Sequence, residues 1–170
     1  MLKLEPPDTH ALSAALGWLE LGNARESLAE LDRISPGNQN HPGVLEVRWA
    51  GLAKLKQWES ALAVARKLVE AAPENVAGWL HQAYALRRAS GGGLPQAWDA
   101  LLPAADKFPR HLLVAFNLAC YACQLKRLNE ARQWLQTAQA LGDPAEVRQM
   151  ALADPDLETL WSEIRAQFAK

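Results

Sequence analysis

Four small residues, Ser27, Ala61, Ala97 and Ala131, stand 34, 36 and 34 positions apart. Each sits in a similar phrase at the start of a helical pattern, a small residue followed by a large one. The phrases are Arg25-Glu26-Ser27-Leu28, Glu59-Ser60-Ala61-Leu62, Gln96-Ala97-Trp98 and Asn129-Glu130-Ala131-Arg132. The long interval holds Ser90-Gly91-Gly92-Gly93, so a two-residue loop insertion there restores 34 throughout. Pro36, Pro73, Pro109 and Pro144 close the periods, as expected where a helix must stop. A period of this length builds a fold by stacking like units, each burying its apolar face only against its neighbours.

Each period reads as two helices. Val44, Leu45, Trp49, Leu52 and Leu55 form one stripe at helical spacing, and Leu62, Ala65, Leu68 and Val69 form the next. Asn23 followed three residues on by Glu26 is a helix start. Period-two alternation and β-branched clusters are absent, which argues against strands. After Gly142 the repeat stops. Asp143-Pro144 and Asp154-Pro155 each place Asp at a cap and Pro at the first helical position. A last helix carrying Leu157, Leu160, Trp161, Ile164 and Phe168 on one face is expected to cover the open end of the fourth repeat.

A 34-residue unit of helix, turn and helix resembles the tetratricopeptide repeat (TPR). Trp79, Ala83, Leu86, Ala97, Leu101 and Pro109 stand where that family places its signature residues, and Leu118, Ala119, Ala131 and Leu135 match in the next period. Ala61, Leu68 and Pro73 fit in the second, although Trp49 takes a place usually given to Gly or Ala. The first period is the least regular, with Ser27 at the Ala place and a second helix about one turn short. The resemblance implies an all-α, right-handed helical-hairpin solenoid of four repeats over residues 8–143, at about 8–40, 41–74, 75–110 and 111–143. Residues 144–170 are expected to add capping helices to the same single domain.

Composition narrows the function. Lys and Arg total 18 against 19 Asp and Glu, so no general attraction to nucleic acid or anionic membranes is expected. Met1-Leu2-Lys3-Leu4-Glu5-Pro6-Pro7-Asp8 lacks the uninterrupted apolar core expected of a secretory signal, and no apolar run approaches a membrane span. A cytoplasmic protein is the simplest expectation. Seven Trp accompany two Tyr and three Phe, and the tryptophans are read mostly as core.

Little in the chain points to catalysis. Cys120-Tyr121-Ala122-Cys123 lacks the strand-helix context of a thioredoxin motif, and a zinc site there would draw its remaining ligands from afar, with His81 the one candidate. The four histidines show no metal spacing, and the triple glycine has neither a preceding strand nor a following Lys-Ser/Thr. No cofactor, metal or enzymatic activity is expected. A thiol redox or metal role for Cys120 and Cys123 stands as the weaker alternative.

In stacked hairpins the first helices line a concave groove. The resemblance places Ala77, Leu80, His81, Tyr84, Arg87 and Arg88 inward in the third period. Leu113, Phe116, Asn117, Cys120, Cys123 and Gln124 follow in the fourth. The first two periods offer Leu12, Leu16, Leu19, Glu46, Val47 and Lys54. Some co-chaperones of the family hold a C-terminal carboxylate with Lys, Asn and Arg, but Leu12, Leu16, Val47 and Ala77 occupy most of those places here. A scaffold that binds a peptide or protein segment is therefore expected, with His81, Tyr84, Arg87, Arg88, Phe116 and Asn117 as the binding residues. An acidic or C-terminal segment would suit the arginines. Self-assembly into a homo-oligomer through groove or tail is the structural alternative. The tail from Gly142 onward carries six acids against three bases, so it could also turn back over the fourth repeat into its own groove.

Overall fold

A computed structural model describes residues 3–166. Among them are ten α-helices, two 3-10 segments and no strand. No described helix is long and apolar enough to cross a membrane. The chain divides into two compact units, residues 1–93 and 94–170, with the division at the end of the triple-glycine turn.

The first unit contains α1 (Asp8–Glu20), α2 (Ala24–Asp32), α3 (Pro42–Lys54), α4 (Trp58–Ala71) and α5 (Val76–Leu86). Each helix packs on the next, and α3 also touches α1 and α5, so the first helices of successive periods form one layer. Asn23 caps α2 through the Glu26 N–H, as its spacing predicts. Ser27 and Ala61 are fully buried, because adjoining helices approach too closely there for a larger side chain. Leu4, Ala15, Leu19, Ala24, Leu31, Ile34, Val44 and Val47 form a core cluster at the N-terminal end of this unit. The buried Asp8 carboxylate fastens this core to the loop after α2. It accepts hydrogen bonds from the Ser35 backbone N–H at 2.9 Å, the Ser35 hydroxyl at 3.0 Å and the Asn38 amide at 2.6 Å.

The turns inside the first two hairpins share a single geometry. Asn23 N–H donates to the Trp18 carbonyl and Gln57 N–H to the Leu52 carbonyl, each reaching five residues back. The residue before each donor is left-handed, Gly22 at φ 81° and Lys56 at φ 57°. This is the six-to-one bond of a helix C-terminus closed by a left-handed residue. At the third turn the corresponding bond runs from Gly93 N–H to the Leu86 carbonyl, seven residues back. The two-residue insertion expected at the triple glycine is thus visible as a longer closure. Gly92 permits it, since a Cβ there would overlap the Leu86 carbonyl oxygen.

The second unit contains α6 (Leu94–Lys107), α7 (Leu112–Gln124), α8 (Leu128–Leu141), α9 (Pro144–Ala153) and α10 (Trp161–Ala166). Its hairpin turn repeats the same bond, Arg127 N–H to the Ala122 carbonyl, with Lys126 at φ 63°. Ala97 and Ala131 are fully buried like their counterparts. Asp143 caps α9 by accepting from the Ala145 and Glu146 N–H groups.

The tail packs as a cap, with Val147, Ala151, Leu157, Leu160 and Ile164 all buried. Trp161 Nε1 donates to the Ala151 carbonyl, and Arg132 on α8 makes two 2.8 Å bonds to Glu163. The expected last helix is divided, a 3-10 segment (Pro155–Leu160) followed by α10. Gln124 Nε2 donates to the Asp156 carbonyl at 2.8 Å and so competes for an oxygen that an α-helix would give to Leu160 N–H. Phe168 lies outside the described residues.

The tryptophans correct one expectation. Trp98 alone of the seven is buried; Trp18 is exposed and the rest are half-buried. Trp49 and Trp58 instead enter a partly open aromatic cluster in the first unit.

Candidate functional site

Tyr84 lies in the last turn of α5, with Arg88 one turn further along the chain. Four residues bring two side chains onto one helical face. The Arg88 guanidinium carbon stands 3.5 Å from the centre of the Tyr84 ring and 5.4 Å from that of Trp58. One guanidinium nitrogen, Nη1, donates to the Tyr84 carbonyl at 3.0 Å, which orders the arginine and satisfies a carbonyl at the helix end. A guanidinium held over a ring keeps N–H groups for oxygen acceptors, which suits carboxylates. Tyr84 is 39% exposed, and among the described residues of the first unit it shares that degree of exposure with few other large apolar side chains.

Trp58, the first residue of α4, lies 5.8 Å from Tyr84 at a tilt of 59°. Trp49 meets Tyr84 edge-on at 6.0 Å and lies flat on His81 at 3.7 Å with 5° between the planes. Burial pushes the His81 imidazole down to about 4, because an imidazolium in that stack would lose its hydration. His81 is therefore a neutral ring near pH 7 and part of an aromatic wall. Arg87 caps the C-terminus of α5 and is half-buried.

Polar bonds hold the helices that carry this cluster. Asn75 caps α5 through the Ala77 N–H and bonds Glu46 on α3 with its amide. Lys54 donates to the Leu19 carbonyl at the end of α1, where a cation is favoured by the helix dipole. Two of the charged inward positions, Glu46 and Lys54, thus serve as ties between helices. At the other end of the layer Leu12 is half-buried and Leu16 is 45% exposed.

In the second unit the inward positions have different surroundings. Phe116 is buried in the core, so its ring is not presented as an exposed anchor. Asn117 is half-buried and donates to the Leu113 carbonyl at 2.8 Å, a bond within its own helix. Cys120 and Gln124 meet the tail, through the Asp154 carboxylate at 3.5 Å and the Asp156 carbonyl. Burial pushes the Cys123 thiol up, outweighing the opposing influence of the Thr159 side chain. A redox-active cysteine needs the opposite shift.

The structure brings His81, Tyr84 and Arg88 together and adds Trp49 and Trp58, which sequence reasoning left aside. One signal was present. Trp49 stands where the repeat prefers a small residue, and an oversized ring at such a place must find a neighbour.

No family model matches the chain, and no curated protein matches it. Solved structures do. The chain is 23% identical to TTC0263, a thermophilic TPR protein in Thermus thermophilus, with a TM-score of 0.71 over 92% of this chain and 82% of that one. It is 20% identical to MamA 41-end from Desulfovibrio magneticus RS-1, with a TM-score of 0.68 over 77% and 73%. A MamA RS-1 ArsTM double mutant gives 19% and 0.70 over 81% and 76%. At these identities the likeness establishes the fold.

Proposed function

We propose that this chain, which has the helical-repeat fold of TPR proteins, is a non-catalytic scaffold for protein interaction. It would take a peptide or protein segment along the first helices of unit 1. The observation that carries this reading is the Tyr84–Arg88 pair, a partly exposed ring with a guanidinium stacked on it. Exposed aromatic and arginine side chains on a rigid frame are where binding energy concentrates. The Arg88 edge would take a carboxylate from an acidic or C-terminal segment, while Trp58 and Tyr84 would hold an adjoining apolar side chain. A cytoplasmic setting suits the two buried, unoxidised cysteines. The test is binding to a displayed peptide library with free C-termini, repeated at rising salt. Enrichment of carboxylate-bearing peptides whose capture weakens with salt supports the reading; salt-independent capture of peptides lacking acids opposes it.

Self-assembly is the second reading. Leu16, Trp18 and Leu21 are all exposed along and just after α1, Leu21 to 77%. Such an apolar surface fits a second copy of the chain. Mass measured against concentration separates the two readings.

A further inference from the structure

We propose that Cys120, Asp154 and Asp156 form a binding site for a divalent transition metal of the zinc class, which would lock the tail onto α7. The Cys120 sulfur and one carboxylate oxygen from each aspartate all lie within 4.8 Å of one another. Donors bonded to one tetrahedral ion at about 2.0–2.3 Å stand roughly 3.3–3.7 Å apart, so the Cys120–Asp154 pair at 3.5 Å is already at bonding separation and binding would draw in any wider pair. The donors come from two segments far apart in the chain, α7 and the Asp-Pro-Asp entry to the 3-10 segment. This is a mixed set, one soft sulfur with two hard oxygens. It favours zinc or cobalt over magnesium or calcium, which prefer oxygen alone.

The surroundings hold the donors in place. Cys120 is 2% exposed, and its thiol donates to Asp154 Oδ2. The other Asp154 oxygen accepts the Asp156 N–H at 2.9 Å, which fixes the carboxylate plane. Gln124 holds the Asp156 carbonyl, so the segment between the aspartates is tied from both sides. Outer contacts of this kind orient metal ligands. Both aspartates are half-buried, leaving room for water as a fourth ligand. Binding would form a metal–sulfur bond and break the S–H bond, releasing one proton to solvent while no group changes oxidation state. The Cys120–Cys123 spacing suggests a two-cysteine site, but Cys123 lies outside the donor set.

The experiment titrates the reduced, full-length protein with Co2+ and then displaces cobalt with Zn2+. One equivalent of cobalt should produce a near-ultraviolet thiolate-to-metal band that zinc abolishes, and zinc should raise the melting temperature. Cys120→Ser should remove the band, and Asp154→Asn or Asp156→Asn should weaken binding at least tenfold, each with an unchanged helical signal. Cys123→Ser should leave both readouts intact, and the Asp variants keep the test open should Cys120→Ser fail to fold. Absence of the band in the parent, its survival in Cys120→Ser, undiminished affinity in the Asp variants, or its loss in Cys123→Ser would overturn the assignment.

Discussion

Lys56 and Lys126 occupy equivalent turns 70 positions apart and share one backbone conformation, φ 57° and 63°. Both follow the last turn of a first helix, and the residue after each donates its N–H five residues back. The first hairpin uses Gly22 for the same task. A left-handed residue with a side chain costs about 1 kcal/mol there relative to glycine. Lys56→Gly and Lys126→Gly should therefore each raise stability by roughly 0.5–1 kcal/mol, read from chemical denaturation. A loss of stability in either would show that these turns depend on the lysine side chain.

Ser27 is the odd member of the four anchors. Its hydroxyl is fully buried and finds no hydrogen-bond partner, whereas the other three repeats place Ala there. An unsatisfied buried hydroxyl costs about 1–3 kcal/mol. Ser27→Ala should raise the melting temperature, and an unchanged or lower value would mean the hydroxyl is bonded in solution.

The Trp49–His81 stack makes stability pH-dependent. The imidazole ordinarily titrates at 6.5 and is pushed down to about 4 in the folded chain. The unfolded chain binds that proton first, so this contribution is complete above pH 6.5 and is lost as the pH falls toward 4. The full effect is roughly 3 kcal/mol at 1.36 kcal/mol per pKa unit. Denaturation midpoints measured between pH 7 and 4.5 should fall, and His81→Phe should flatten the curve over that interval. An equally steep curve in the variant would remove His81 as its source.

The tail contributes packing. Ile164 is 1% exposed, and truncation of such a side chain removes about 2–5 kcal/mol. Ile164→Ala should unfold at a markedly lower denaturant concentration than the parent. An identical midpoint would contradict the capping role.

The period was legible because close helix packing admits only small residues at Ser27, Ala61, Ala97 and Ala131, and all four are indeed fully buried. The caps at Asn23 and Asp143 were legible for the same local reason, a side chain bonding its own helix start. The left-handed turns at Lys56 and Lys126 were not, since lysine carries no preference for that conformation. Phe116 was misplaced because α7 is apolar around most of its circumference, from Val114 to Cys123, and spacing does not then choose a face. Trp49 and Trp58 escaped for a tertiary reason, as their contacts join residues from different helices.

The central claim is that Tyr84 and Arg88 bind a partner segment. The direct measurement is capture of proteins from a native lysate by the parent chain and by a Tyr84→Ala/Arg88→Ala variant with an unchanged helical signal. The account predicts that specific partners held by the parent are lost or weakened by at least tenfold in the variant, and that the parent's own capture declines with added salt. Retention of the same partners at the same strength by the folded variant would contradict it.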